Sequence, residues 1–159
     1  IGADLCALPL ADNSFDFITC AMVVEHLPDP RRALAELARV LDRGGRLIIH
    51  TVNLVGYPTL MALAARTIPA HLRRALISRM TRRHEDDIFP TVYRCNTMTR
   101  LCRAIESAGL RIVTAEHLAN GPVIKRLKPV YLMEMLAIRA TLSSLLSGLR
   151  GQLLVIATK

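Results

Sequence analysis

A strand-length apolar run, a capped helix and a second apolar run follow one another within residues 15–52, and this succession constrains the fold more than any bulk property does. Phe15–Ala21 (FDFITCA) is bounded by turn-forming Asp12-Asn13-Ser14 and by polar Glu25-His26, which predicts a buried parallel strand. Asp29-Pro30 then offers an N-cap and a proline at the first helical position, where its missing N–H costs nothing. Ala33, Leu34, Leu37, Val40 and Leu41 recur at helical spacing until Gly44-Gly45, predicting an amphipathic helix of about three turns. Arg46–Val52 (RLIIHTV) predicts a second buried strand. Strand, crossover helix and strand make a βαβ unit, hence a parallel sheet with a right-handed connection.

Further along, Thr99–Ala108 reads as a helix with Leu101, Ile105 and Ala108 on one face and Gly109 closing it. Leu110–Ala115 and Gln152–Thr158 read as strands. Between Tyr57 and Asn96 the alternation breaks: two helix-like segments, Thr59–Thr67 and Ala70–Arg83, precede an acidic patch and Phe89-Pro90. Open α/β sheets bind ligands beyond the carboxyl ends of their strands, so this 57–96 insertion is an expected lid or recognition element.

The 159 residues, 52% apolar and 21% charged, suffice for one domain with a substantial core, and residues 1–159 are expected to form a single, partial domain. Cys6, Cys20, Cys95 and Cys102 form no CxxC pair and read as reduced thiols. The long apolar stretch from Val130 to Leu149 is broken by Glu134 and Arg139, so no membrane span is expected. Nothing at the start, which opens on Ile1, resembles a targeting signal, and a cytoplasmic location is expected, peripheral to a membrane at most. The net charge of +8, with arginines crowding Arg66–Arg83 and a basic knot at Lys125, Arg126 and Lys128, attracts anionic partners or simply solvates a helix face. With 4% aromatic residues and no Trp, nucleic acid is not the expected partner.

The opening Asp4-Leu5-Cys6-Ala7-Leu8-Pro9-Leu10, with Ser14-Phe15-Asp16, Glu25-His26-Leu27-Pro28-Asp29-Pro30 and Arg39-Val40-Leu41-Asp42-Arg43-Gly44-Gly45, falls into four blocks in order. Together they resemble class I S-adenosylmethionine-dependent methyltransferases of the type 11 and ubiquinone-biosynthesis group. The resemblance implies an α/β, Rossmann-like fold whose four strands would order 4-5-7-6, the last antiparallel. It implies S-adenosylmethionine as cofactor and methyl transfer to a small, hydrophobic or lipid-like acceptor. It also implies an N-terminally truncated domain without the glycine-rich turn and ribose-binding acid, itself inactive and a weak binder of the cofactor. The other readings are an inactive methyltransferase-like binding module and a basic membrane-surface protein.

In that family the acid matching Asp4 accepts from the adenine amine, and the backbone at Leu5 reads the ring edge. The alternative is a loop aspartate capping its own backbone. Cys20 and Ala21 end the first strand where small side chains admit the cofactor; smallness is expected there rather than thiol reactivity, since no basic neighbour would lower the Cys20 pKa. Glu25 and His26 are the expected catalytic pair, because histidine can take a proton from a hydroxyl acceptor; the alternative is that they only hold the loop. Tyr93 and Arg94, in Phe89-Pro90-Thr91-Val92-Tyr93-Arg94, would face the acceptor. Some quinone-pathway relatives bind a metal through a glutamate three residues before Glu25; Met22 stands there, so no metal is expected. The apolar stripe Leu132, Met135, Leu136, Leu142, Leu146 and Leu149 would either cover an apolar acceptor or pack as core.

Overall fold

The computed structural model describes residues 2–69, 71–72, 90–122 and 128–159. Its elements run β1 (Phe15–Ala21), a 3-10 turn (Val24–His26), α1 (Pro30–Val40), β2 (Leu41–Val52), α2 (Tyr57–Ala65), α3 (Met98–Ser107), β3 (Arg111–Leu118), α4 (Lys128–Thr141), a second 3-10 turn (Ser147–Leu149) and β4 (Gln152–Thr158). Of the expected Ala70–Arg83 helix only residues 71 and 72 are described, and Arg73, Arg74, Arg79, Arg82, Arg83, Lys125 and Arg126 lie outside the described residues.

The four strands form one sheet ordered β1-β2-β4-β3, with β1 and β2 parallel. The Gly44 N–H donates to Lys159 at one end of β2 and the Asn53 N–H donates to Gly151 at the other, so β4 runs antiparallel to β2. This is the expected order. Helix α1 begins as predicted, with Asp29 accepting from the Arg32 N–H and Pro30 opening the helix. It stops earlier than predicted, at Val40, and the chain passes directly into β2 at Leu41. Leu41 is extended because it pairs with Phe15, and the pairing then jumps from Phe15–Leu41 to Phe17–Arg46. The extra residues Asp42–Gly45 make a bulge: Gly44 takes φ +78°, and at Gly45 a Cβ would meet carbonyl oxygens of Asp42 and Asp16 at 2.9 and 3.0 Å. The helix's last carbonyls are not orphaned, since the N–H groups of Asn13 and Ser14 donate to Arg39 and Val40, and the Lys159 ammonium reaches Arg39 and Leu41.

At the far end of α3, Gly109 (φ +84°) donates to Glu106 and Leu110 to Ile105, the paired bonds that close a helix on a left-handed residue. The core is built from alternate residues of β2 (Leu47, Ile49) and β4 (Leu153, Val155, Ala157) against Leu34, Leu37 and Ala38 of α1 and Leu101, Ala104 and Ile105 of α3. The expectation of a buried β1 holds only on its core side: Cys20 is buried, while Phe15 and Phe17 are exposed on a strand at the sheet edge.

The chain divides into two compact units. The first comprises residues 1–52, 91–116 and 153–159 and contains the core just described; the second comprises 53–90 and 117–152. The second is held by Asn53, fully buried, whose amide donates to the carbonyls of Gly148 and Arg150, and by the Arg150 guanidinium, which donates to the carbonyls of His117, Thr141 and Leu142. Its helix α4 departs from the core option for the leucine stripe: Leu132 and Leu136, and Leu142 just past the helix, are each about 60% exposed, while Glu134 and Thr141 are buried. Among the described residues no helix is long and apolar enough to cross a membrane.

Candidate functional site

Residues 2–10 form a loop pinned to α1 by polar contacts. Arg39 donates to the carbonyls of Leu8 and Leu10 and pairs with Glu36 and Asp12, while Glu36 accepts from the Leu8 N–H at 2.9 Å. The Arg39 guanidinium holds the half-buried Glu36 carboxyl below the usual carboxylate range. Arg32 donates to the Cys6 carbonyl at 3.0 Å, tying the first turn of α1 to the same loop.

On this anchored loop Asp4 is exposed and its Oδ1 accepts from the Cys6 N–H at 2.9 Å, the self-capping bond that was the alternative reading. That bond engages one carboxylate oxygen and fixes the direction of the other. Leu5 follows, half-buried, in the same turn. An exposed carboxylate beside a backbone donor is the donor and acceptor set that adenine requires.

At the carboxyl end of β1, Cys20 is buried and its thiol is pushed up to about 11, by burial first and by Glu25 second. The thiol stays protonated at neutral pH, in line with a position that asks for smallness. Ala21 is exposed, and Met22 turns the chain at φ +55°. A bulky residue at positive φ is costly, about 1–3 kcal/mol, and survives only where the surroundings over-determine it. Here the Met22 N–H donates to the His50 carbonyl at 2.7 Å.

The turn after it presents the Glu25-His26 pair with unequal burial. Glu25 is 3% exposed, its Oε2 accepts from the Thr51 hydroxyl at 2.7 Å, and that hydroxyl accepts from the Asn96 amide at 2.8 Å. The Asn96 amide also donates to the Val52 carbonyl at 3.1 Å, and its Oδ1 is buried with no hydrogen bond among the described residues. His26 keeps about a third of its side chain exposed, with Nε2 4.0 Å from Glu25 Oε1. The backbone of Glu25 does further work: its carbonyl accepts from the N–H groups of both Val92 and Tyr93, which clips the 91–96 segment to this turn. Tyr93 is itself at φ +52°, a second strained residue on the same carbonyl.

Five of the expected site residues (Cys20, Ala21, Glu25, His26 and Tyr93) therefore lie at the end of β1 or bond to the turn after it. Asp4 and Leu5 sit on the separate anchored loop, and Arg94 points into a groove with the first turn of α1. Thr51 and Asn96 were missed by sequence reasoning. The available signal was a polar residue at the core-facing end of an alternating strand, since Leu47 and Ile49 point inward and Thr51 continues their register. Among the described residues no group of three or more His, Cys, Asp or Glu could hold a metal ion.

Residues 1–49 match the family model described as a methyltransferase domain. Over 49 residues the chain is 45% identical to a demethylmenaquinone methyltransferase of Renibacterium salmoninarum, which covers 31% of this chain and 21% of the relative. Over 116 residues it is 28% identical to a ubiquinone biosynthesis O-methyltransferase of Aeromonas salmonicida, covering 73% of this chain and 44% of the relative. The chain thus spans less than half the length of either relative. Among solved structures, a S-adenosylmethionine-dependent methyltransferase of Thermotoga maritima superposes with a TM-score of 0.56 at 18% identity, over 99% of this chain and 62% of that one. Residues 1–49 thus resemble a segment of a methyltransferase domain, and the chain has the fold of the class I S-adenosylmethionine-dependent methyltransferases.

Proposed function

We propose that this protein transfers a methyl group from S-adenosylmethionine to a hydroxyl of a small, hydrophobic acceptor. When bound, S-adenosylmethionine supplies an electrophilic methyl group on a positively charged sulfur. Asp4 and the Leu5 backbone would hold its adenine, and the small Ala21 and protonated Cys20 would leave room beside the end of β1. His26 would take the acceptor's proton as the oxygen attacks, and Tyr93 and Arg94 would orient the acceptor. Glu25 acts through His26 as a positioning residue, because its carboxylate is committed to Thr51. The observation that carries this reading is the Asn96-Thr51-Glu25 chain, which holds a buried carboxylate 4.0 Å from a partly exposed histidine past the carboxyl end of a β-strand.

A hydrophobic acceptor is supported by the names of the two relatives and by the second unit, where α4 leaves Leu132, Met133 and Leu136 exposed. Contact with an anionic membrane surface would give such an acceptor a route in, with the basic residues supplying attraction. The test is methyl transfer by the full-length protein from methyl-labelled S-adenosylmethionine to a hydroxyl of a polyprenylated catechol in mixed micelles. Label in the extracted lipid is expected; label appearing only on water-soluble acceptors would overturn the hydrophobic assignment.

A further inference from the structure

The first unit contains a groove of about 390 Å³ lined by Arg31, Arg94, Arg100 and Arg103, with Asp29 at its rim and the buried Cys95 among its walls. The four arginines come from three places: the first turn of α1, the 91–97 segment, and the first two turns of α3. All four are exposed, and among the described residues none of their guanidinium groups has a hydrogen-bond or carboxylate partner. The one acid, Asp29, already accepts from the Arg32 N–H as the cap of α1.

This arrangement runs against the local rules for helices. The first turn of a helix favours Asp and Glu, because the unpaired N–H groups there carry partial positive charge. Helix α1 has Arg31 and Arg32 in its first turn and α3 has Arg100, and neither first turn holds an acid. Four guanidiniums without a carboxylate partner, lining one cavity, form a like-charge cluster that the fold alone has no reason to keep. The thiol of Cys95 registers the field: burial pushes it up, while Arg31 and Arg100 pull it down.

We propose that this groove binds a phosphate or diphosphate group. Guanidinium forks match phosphate oxygens in bidentate pairs, and the cavity has the volume of a small-ligand site. Binding of this kind does not rest on the methyl-transfer reading, although Arg94 belongs to both.

Calorimetric titration of the full-length protein with inorganic pyrophosphate, at ionic strength fixed with sodium chloride, tests the site directly. Saturable binding of one pyrophosphate per chain is expected. The double variant Arg100→Gln/Arg103→Gln, checked by thermal melting, should weaken it at least tenfold, and Arg94→Gln alone severalfold. A control pair of exposed arginines outside the groove, Arg43→Gln/Arg111→Gln, should change it less than twofold. Absence of saturable binding, or equal weakening by the control pair, would overturn the proposal, the latter because it reports only the diffuse positive field. A second arm separates the sources of the phosphate: displacement of pyrophosphate by phosphatidic acid vesicles would assign a lipid headgroup, and its retention a soluble phosphorylated molecule. Either result upholds the site.

Discussion

Helices α1 and α4 are of similar length but follow opposite rules. Helix α1 turns Ala33, Leu34, Leu37, Ala38 and Val40 into the core and its arginines outward, so that its sequence is explained by the sheet it covers. Helix α4 buries Glu134 and Thr141 and leaves Leu132, Met133 and Leu136 at 61%, 70% and 61% exposure. The apolar face of α1 is consumed in folding, whereas Leu132, Met133 and Leu136 of α4 stay exposed. The contrast separates apolar residues buried in the core of the first unit from apolar residues left exposed in the second, to which the proposal gives the part of meeting a hydrophobic acceptor.

The largest effects should fall on the consumed face. Leu34→Ala removes a side chain that is 1% exposed and should cost about 2–5 kcal/mol in denaturant unfolding, against less than about 0.5 kcal/mol for Leu136→Ala on α4. Comparable losses at the two positions would erase the distinction. Side-chain hydroxyls sharpen it further: buried Thr51 bonds to buried Glu25 in the first unit, and half-buried Tyr57 to buried Glu134 in the second. Thr51→Val strips Glu25 of a 2.7 Å bond and leaves an Asn96 donor short of a partner, and should cost about 1–3 kcal/mol. Tyr57→Phe removes a 3.4 Å contact to Glu134 and should cost less, because Asn120, which donates to the Tyr57 hydroxyl, also donates to the Gly121 carbonyl. If Tyr57→Phe proved the more damaging, the second unit would be the more tightly specified.

A functional face should be mutable without structural loss. Leu132→Asn with Leu136→Asn is expected to lower co-sedimentation with anionic vesicles severalfold and leave the denaturation midpoint in place. Unchanged partition would remove the membrane from the account. The smallest effect concerns Cys20. Its raised thiol pKa means the folded state keeps a proton that the unfolded state loses near pH 9, so its stability contribution is intact below that pH and disappears as pH climbs through about 11. Alkylation of Cys20 at pH 7.5 should be slow in the native protein and fast in denaturant; rapid native labelling would contradict its burial.

Much of the first unit was legible because local and tertiary preferences agree there. The cap at Asp29-Pro30, the strand at Phe15–Ala21, the glycine at 109 and the last strand all appear where the spacing put them. The early end of α1 was not legible, because pairing of Leu41 with Phe15 overrides a helical pattern that continues through Leu41. Nor was the role of Glu25, whose carboxylate is claimed by a threonine 26 residues away and an asparagine 45 residues beyond that. Such a chain of hydrogen bonds leaves no periodic trace. The leucine stripe of α4 was visible as a stripe, but periodicity cannot say whether a face meets the chain's own core or something else.

The central claim, that the turn after β1 carries out chemistry while the Asp4 loop holds the cofactor, is tested most directly by separating turnover from affinity in the full-length protein. His26→Ala should lower methyl transfer at saturating S-adenosylmethionine by about 100-fold or more while its Kd stays within about twofold. Asp4→Ala should do the reverse, raising Kd about tenfold with saturated turnover retained. Unchanged turnover in His26→Ala would contradict the account and leave the buried Glu25 network as a device for holding a loop.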